Sequence, residues 1–320
     1  MPVNIASMLL LFVCASVGTV VLGMMLKWVD RKVTARVQYR VGPPWYQPMV
    51  DVLKLMGKET LMPISARGTG FLLAPVIAVA ATAVAAALIW QALLRPQTAF
   101  LGDLIVVIYL LMIPAVMTIM GASASGNPHA AVGASREMKL LFSYELPLFL
   151  AIMVAVSRTG WTFQLGGIIE SQHAASPVLY SISGVIALVV AILCMQAKLG
   201  LVPFDQAEAE CEIMSGVYVE YSGPSLAMFL IDRAMLLALM PMLLIMVFWG
   251  GLNTAGWLWG VPAFLGKYLL LIVLVVLIRN TNPRLRIDQA VRFFWFRLAP
   301  LAVLAVVLAL IGNAKGLSWL

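Results

Sequence analysis

Residues 70–94 read GFLLAPVIAVAATAVAAALIWQALL, and none of these side chains is charged. A helix of roughly 20 apolar residues is long enough to cross the hydrocarbon core of a bilayer. The rest of the chain has the same character, because 62% of its 320 residues are hydrophobic and only 11% are charged. Soluble domains carry about 25% charged residues. The composition therefore excludes an ordinary soluble domain and indicates an integral membrane protein.

The apolar runs predict an all-α polytopic membrane protein with eight spans in a single integral domain over residues 1–320. The predicted spans are 3–26, 70–94, 104–121, 138–156, 179–197, 225–249, 262–279 and 298–313. No basic region precedes the first span and no small-residue cleavage site follows it, so we predict a retained helix rather than a signal peptide. Pro75, Pro114, Pro147 and Pro241 fall within or beside spans, where kinks and plain bundle packing are both compatible with the sequence.

The basic residues are divided unevenly between the two sides of the predicted bundle. Of the 21 Lys and Arg residues, 16 lie in the loops after spans one, three, five and seven, 4 lie on the other side, and Arg233 lies inside span six. Cytoplasmic loops are rich in Lys and Arg. This bias predicts both termini outside, in a multi-pass protein of the cell membrane. Topology also explains the net charge of +7, and we expect no nucleic-acid partner.

The first basic loop has a structure of its own. RVGPPWYQP at 40–48 predicts a sharp backbone turn. In the following stretch, MVDVLKLMGKETLMP at 49–63, apolar and charged residues recur at helical spacing on opposite faces. The apolar set is Met49, Val52, Leu53 and Met56, and the charged set is Asp51, Lys54 and Lys58. This pattern predicts a short amphipathic helix at the membrane interface.

The segment 203–223, PFDQAEAECEIMSGVYVEYSG, is dense in acidic residues. It holds five of the 14 in the chain: Asp205, Glu208, Glu210, Glu212 and Glu220. If 204–215 is helical, Asp205, Glu208 and Glu212 share one narrow stripe. Desolvation and mutual repulsion raise the pKa of carboxylates, so we expect groups that exchange protons near neutral pH. A solvated acidic loop that docks a basic partner is the alternative.

Two further sites place charges inside predicted spans. Glu145 lies about two turns into span four, and an ionised glutamate facing lipid would cost several kcal/mol. We therefore expect it to face the bundle interior as a proton-relay group or as a hydrogen-bonded structural acid. Asp232 and Arg233 lie about two turns into span six. The sequence is compatible both with a relay role for these residues and with a structural ion pair.

The sequence has no pattern typical of a metal, cofactor or nucleophile site. Cys14, Cys194 and Cys211 form no CxxC pair, and the two histidines stand alone. We therefore predict no catalytic residue, no metal ligand and no cofactor in this chain. Any iron–sulfur centre is expected on another subunit.

The acidic segment resembles the PFD-x-x-EAE-x-E…EYSG signature of subunit 1 of respiratory complex I. That family's first cytoplasmic loop is similar to residues 30–59, DRKVTARVQYRVGPPWYQPMVDVLKLMGKE. The stretch around its fourth-span acid is similar to residues 143–148, SYELPL. RVGPPWYQP is more similar to membrane-bound nickel–iron hydrogenases and sulfane sulfur reductases, since complex I typically has RxGPN. Where complex I often has AETNRAPFD this chain has AKLGLVPFD, so Lys198 replaces an acid and Leu201 an arginine.

The resemblance implies a non-redox connecting subunit of an ion-translocating oxidoreductase. Iron–sulfur clusters and a nickel–iron or other centre are expected on peripheral iron–sulfur and hydrogenase-like large subunits. H⁺ or Na⁺ movement is expected in antiporter-like membrane subunits, and membrane lipid is expected to surround this chain. The implied coupling residues are Glu145, Asp205, Glu208, Glu210, Glu212, Glu220 and Asp232, with Lys198 as a substitute relay member. The implied docking loop for the redox arm contains Arg31, Arg36, Arg40, Asp51 and Lys54.

Two alternatives to this function remain at the level of sequence. One is a complex I subunit whose loop cavity holds a quinone headgroup, which the changes at Lys198 and Leu201 disfavour. The other is a stand-alone secondary transporter, although the repeat symmetry common in transporters is not evident.

Overall fold

A computed structural model of the chain describes residues 5–66, 68–98, 100, 102–208, 214, 216–253, 257–317 and 319, with the backbone alone at 5–7 and 257. Within these ranges the regular structure is helical and contains no strand. The α-helices are α1 (Ile5–Val37), α2 (Gln47–Met56), α3 (Gly68–Leu94), α4 (Asp103–Ala124), α5 (Pro128–Arg158), α6 (Leu165–Ala174), α7 (Ile182–Lys198), α8 (Gly223–Phe248), α9 (Trp257–Thr281), α10 (Ile287–Phe293) and α11 (Ala299–Lys315). A π-helix, Phe294–Leu298, joins α10 to α11, and 3₁₀ turns lie at Pro96–Thr98, Val178–Tyr180 and Gly216–Tyr218.

The predicted all-α membrane fold is confirmed. Seven described helical segments are long and apolar enough to cross a bilayer, and the segment from α10 to α11 counts as one of them. The predicted fifth span is α7, a shorter apolar helix of 17 residues. With α7 included, the number of apolar segments equals the eight predicted. The placement of both termini outside stays a prediction.

Several helices extend beyond their predicted spans. At 33 residues, α1 is roughly 50 Å long, against a hydrocarbon core of about 30 Å. The prediction that Arg31 and Arg36 lie in a loop is therefore wrong, because the chain from 27 to 37 contains no helix breaker. The predicted start of span four at 138 is also too late. Asn127 caps α5 by accepting a hydrogen bond from the His129 amide at 2.8 Å, and Pro128 occupies the first turn.

The α8 helix lies at the centre of the bundle. In its most apolar window 83% of the residues are buried, against 28% for the peripheral α1. It packs against α1 and α3, while α5, α7 and α11 pack against one another alongside it. Glu145 on α5, Lys198 on α7 and Asp232 on α8 are buried and are therefore directed into protein rather than lipid.

The short helix α2 confirms that the stretch after the turn is helical, while its place at the membrane interface stays a prediction. It packs against α1 and α8. Met49 and Val52 are partly buried, whereas Leu53 and Met56 are 69% and 47% exposed. This arrangement is typical of a helix that lies flat at a membrane interface.

Candidate coupling site

The central feature of the site is a buried ion pair between α5 and α7. The Lys198 ammonium donates to Glu145 Oε1 at 2.7 Å. The two side chains are 2% and 11% exposed, respectively, and the Lys198 ammonium lies 5.6 Å from the centre of the Tyr144 ring. Glu145 Oε2 has no hydrogen-bond partner among the described residues. The carboxylate of Glu145 is therefore held through Oε1 by Lys198.

The burial of this pair shows which way the Glu145 side chain points. The expectation that Glu145 lies in the bundle interior is confirmed, since the residue is 8% exposed. Because α5 begins at Pro128, Glu145 lies near the middle of the helix rather than two turns from its start. The sequence left its partner open, and the structure gives that place to Lys198.

A small internal cavity lies beside Lys198. Its volume is about 40 Å³, which is room for roughly two or three water molecules. The charged residues that line it are Glu137, Lys198, Asp205, Glu208, Asp232 and Arg233. Glu145 does not line this cavity. Lys198 both lines the cavity and contacts Glu145.

Glu137 is a residue that sequence reasoning missed. It lies on α5, eight residues before Glu145, and is partly buried. The span predicted at 138–156 leaves Glu137 just before its first residue. The capping signal at Asn127 and Pro128 would have placed it on the helix.

Asp232 and Arg233 do not form a pair with each other. Asp232 is 2% exposed and accepts a hydrogen bond from Thr82 on α3 at 3.0 Å. Arg233 forms an ion pair with Glu208, and its guanidinium lies 4.9 Å from the centre of the Tyr218 ring. Burial raises the pKa of the Tyr218 phenol well above its ordinary value, so the ring under this cation stays neutral.

A second, larger cleft lies next to the internal cavity on the base-rich side. Its volume is about 410 Å³. Its charged lining consists of Lys27, Asp30, Arg31, Asp205, Glu208, Arg233, Arg279 and Arg284. Arg279 pairs with Asp30, and Arg284 pairs with Asp205 at 2.9 Å. The two spaces share a wall that includes Arg233 and Glu208.

Lys27, Asp30, Arg279 and Arg284 were not predicted to belong to the site. They come from α1, α9 and the segment before α10, and tertiary packing brings them together. Lys27 donates to the Leu230 carbonyl at 2.9 Å, which ties α1 to the start of α8.

The helix predicted at 204–215 is not observed at its start. Its described part at 204–208 is turn rather than helix, so no helical stripe joins Asp205 to Glu208. Each of these two acids pairs with a different arginine. Glu210 and Glu212 lie outside the described residues. Glu220 lines neither the small cavity nor the larger cleft. It accepts a hydrogen bond from the side-chain amide of Asn127, just before α5.

The predicted docking residues lie on two helices and one loop. Arg31 on α1 forms an exposed ion pair with Asp51 on α2 at 3.0 Å. Arg36, Arg40 and Lys54 are exposed. Of the five predicted docking residues, Arg40 lies in a loop and the other four lie on α1 or α2. Their docking role stays a prediction.

A family model described as NADH dehydrogenase matches residues 8–310. The chain belongs to the NADH dehydrogenase subunit 1 family. This subunit 1 chain is similar to the H subunit of the NADH-quinone oxidoreductase of Bacillus cytotoxicus, with 33% identity over 94% of this chain and 91% of the relative. It is also similar to the corresponding subunit of Ruthia magnifica subsp. Calyptogena magnifica, with 30% identity over 99% of this chain and 94% of the relative.

A solved structure has the same fold. A chain of the membrane-bound sulfane sulfur reductase, an archaeal respiratory membrane complex, aligns with a TM-score of 0.85 at 31% identity, over 95% of this chain and 99% of that chain. The subunit 1 protein is thus a multi-pass membrane subunit of a multi-subunit oxidoreductase complex in the cell membrane.

Proposed function

We propose that this subunit 1 chain connects a peripheral redox arm to the ion-translocating membrane arm of a complex of the membrane-bound hydrogenase or sulfane sulfur reductase type. It couples electron transfer to the movement of H⁺ or Na⁺. The observation that supports this most is the continuous series of ionisable side chains from the base-rich cleft to Glu145.

The series has three stages. Ions or protons first reach the outer cleft, where Asp205 and Glu208 are paired with arginines. The Arg233–Glu208 pair separates this cleft from the internal cavity, which Glu137 and Asp232 also line. From that cavity Lys198 transfers a proton to Glu145, since its ammonium contacts the carboxylate directly. Buried ionisable groups in membrane helices commonly mark such paths.

Electrostatics gives the direction of coupling. An electron that arrives on a nearby cluster of a partner subunit adds negative charge, and negative charge favours the protonated form of neighbouring carboxylates. Reduction therefore draws protons toward the acidic segment, and reoxidation releases them. The iron–sulfur clusters and the nickel–iron or other centre belong to partner subunits, and antiporter-like subunits carry the ions across.

The alternative is a quinone-binding subunit of complex I, which the names of the relatives favour. The character of the cleft argues against it. Ligand pockets of 300–1,000 Å³ are lined mainly by apolar side chains, whereas eight of the fourteen residues that line this cleft are charged. The internal cavity, at about 40 Å³, is too small for a quinone headgroup. Electron transfer that requires added quinone would favour the alternative.

Ion uptake by the intact complex in proteoliposomes tests the proposal. Glu145→Gln keeps the shape of the side chain and removes its titration, so we expect assembly and electron transfer to persist while ion uptake per electron is lost. Glu59→Gln, at an exposed position, serves as the matched control. Unchanged ion uptake in the Glu145→Gln complex would refute the coupling role.

A further inference from the structure

An open groove lies beside the junction of α10 and α11, away from both cavities of the coupling site. Its volume is about 510 Å³, and its lining is mainly apolar. The lining residues are Leu285, Gln289, Arg292, Phe293, Phe296 and Arg297. None of them lines the coupling cavities.

The π-helix Phe294–Leu298 shapes this groove. In a regular α-helix, residues five positions apart point about 140° away from each other. The wider π turn brings positions i and i+5 closer together. Arg292 and Arg297 are five positions apart and line the same groove. The junction thus presents two guanidinium groups on one side.

The side chains around the groove are those of a membrane interface. Phe296 is 78% exposed and Trp295 is 49% exposed, at the start of the membrane-spanning segment Ile287–Lys315. Aromatic residues are enriched where membrane helices meet the headgroup region. Arg292 and Arg297 are exposed, and neither forms an ion pair within the described ranges.

An apolar strip continues from the groove along α11. Val303, Leu304 and Val307 are each nearly half exposed, at 47–48%. A ligand with a charged end between the arginines and a long apolar tail would therefore find apolar contact along the helix. Basic pockets on the cytoplasmic side of membrane proteins suit anionic lipid headgroups.

We propose that this groove binds an anionic phospholipid, with its phosphate between Arg292 and Arg297 and an acyl chain against Phe293 and Phe296. The Gln289 amide is placed to hydrogen-bond the headgroup. This site does not depend on the coupling function. It holds lipid at the base of α11, which packs against α5 and α7 and so supports the helices that carry Glu145 and Lys198.

The test uses the intact complex, delipidated in detergent and titrated with phosphatidylglycerol or phosphatidylcholine, with bound lipid counted by native mass spectrometry. We expect wild type to retain phosphatidylglycerol preferentially. At about 1 kcal/mol per charge, Arg292→Gln/Arg297→Gln should weaken this binding on the order of 30-fold. The control is Arg95→Gln, which removes an exposed arginine that lines a different pocket and should leave binding unchanged.

Three results would overturn the lipid site. The first is equal retention of phosphatidylglycerol by wild type and the double variant. The second is competition by excess inorganic phosphate, which would indicate a simple anion site. The third is loss of a partner subunit from the double-variant complex, since the groove would then be a protein interface. Phe296→Ala gives an independent check, because it should weaken binding of lipid without changing any charge.

Discussion

The Lys198–Glu145 pair yields the sharpest prediction, because structural and relay roles give different results in one set of variants. Lys198→Met keeps most of the side-chain length and removes the charge, and Glu145→Gln removes the opposite charge. Each single variant leaves one partner without its counter-charge at a position where the side chains are only 2% and 11% exposed. Removing one member of a buried ion pair typically costs about 3–5 kcal/mol.

The double variant Lys198→Met/Glu145→Gln leaves neither charge unpaired. We expect its loss of stability to be smaller than the sum of the two single losses by about 2 kcal/mol or more, as for residues in direct contact. Lys315→Met, at an exposed helix end, should change stability by less than about 0.5 kcal/mol. Thermal melting of the purified complex in nanodiscs, followed by tryptophan fluorescence, measures these differences.

Ion uptake by the same complexes separates the two roles. If the pair were only structural, the double variant would regain ion uptake along with its stability. If Glu145 carries a proton, stability returns but uptake does not, because neither Met nor Gln titrates. Additive losses of stability would show that the pair does not form, and wild-type uptake in the double variant would refute the relay.

Glu137→Gln should reduce ion uptake per electron several-fold relative to the exposed control Glu59→Gln, because Glu137 lines the internal cavity; equal uptake would remove Glu137 from the path. Glu212→Gln should weaken coupling more than Glu59→Gln does in the same assay, and equal effects would favour a merely solvated acidic loop. Gly23→Ala should destabilise the complex by about 1–3 kcal/mol in thermal melting, since the new methyl group would overlap the backbone of Ala234. Gly18→Ala on the same helix has open space and should be neutral or slightly stabilising, so a similar loss at both positions would contradict this packing.

The sequence predicted the helical membrane fold well because hydropathy reports directly on burial in lipid. It predicted helix ends poorly, since hydropathy marks where the membrane ends and not where the backbone stops being helical. Arg31 and Arg36 are polar but compatible with a helix, so α1 continues through them to Val37. The start of α5 was readable from Asn127 and Pro128, and attention to caps would have placed Glu137 correctly.

The site was predicted in part. The burial of Glu145 followed from the cost of a charge in lipid, but its partner Lys198 is 53 residues away and only packing of α5 against α7 brings the two together. Asp30 and Arg279 were missed for the same reason, since they are 249 residues apart. Local spacing favoured a helix for 204–208, whereas the structure has turns there and a different arginine for each acid.

Redox-induced infrared difference spectroscopy on the intact complex tests most directly whether the protonation of Glu145 responds to electron transfer. On reduction of the complex, we expect a change in the carboxylic C=O stretching region that is absent from Glu145→Gln, altered in Lys198→Met and preserved in Glu59→Gln. A wild-type complex with no carboxylic change on reduction, or one whose signal persists unaltered in Glu145→Gln, would contradict the proposed coupling.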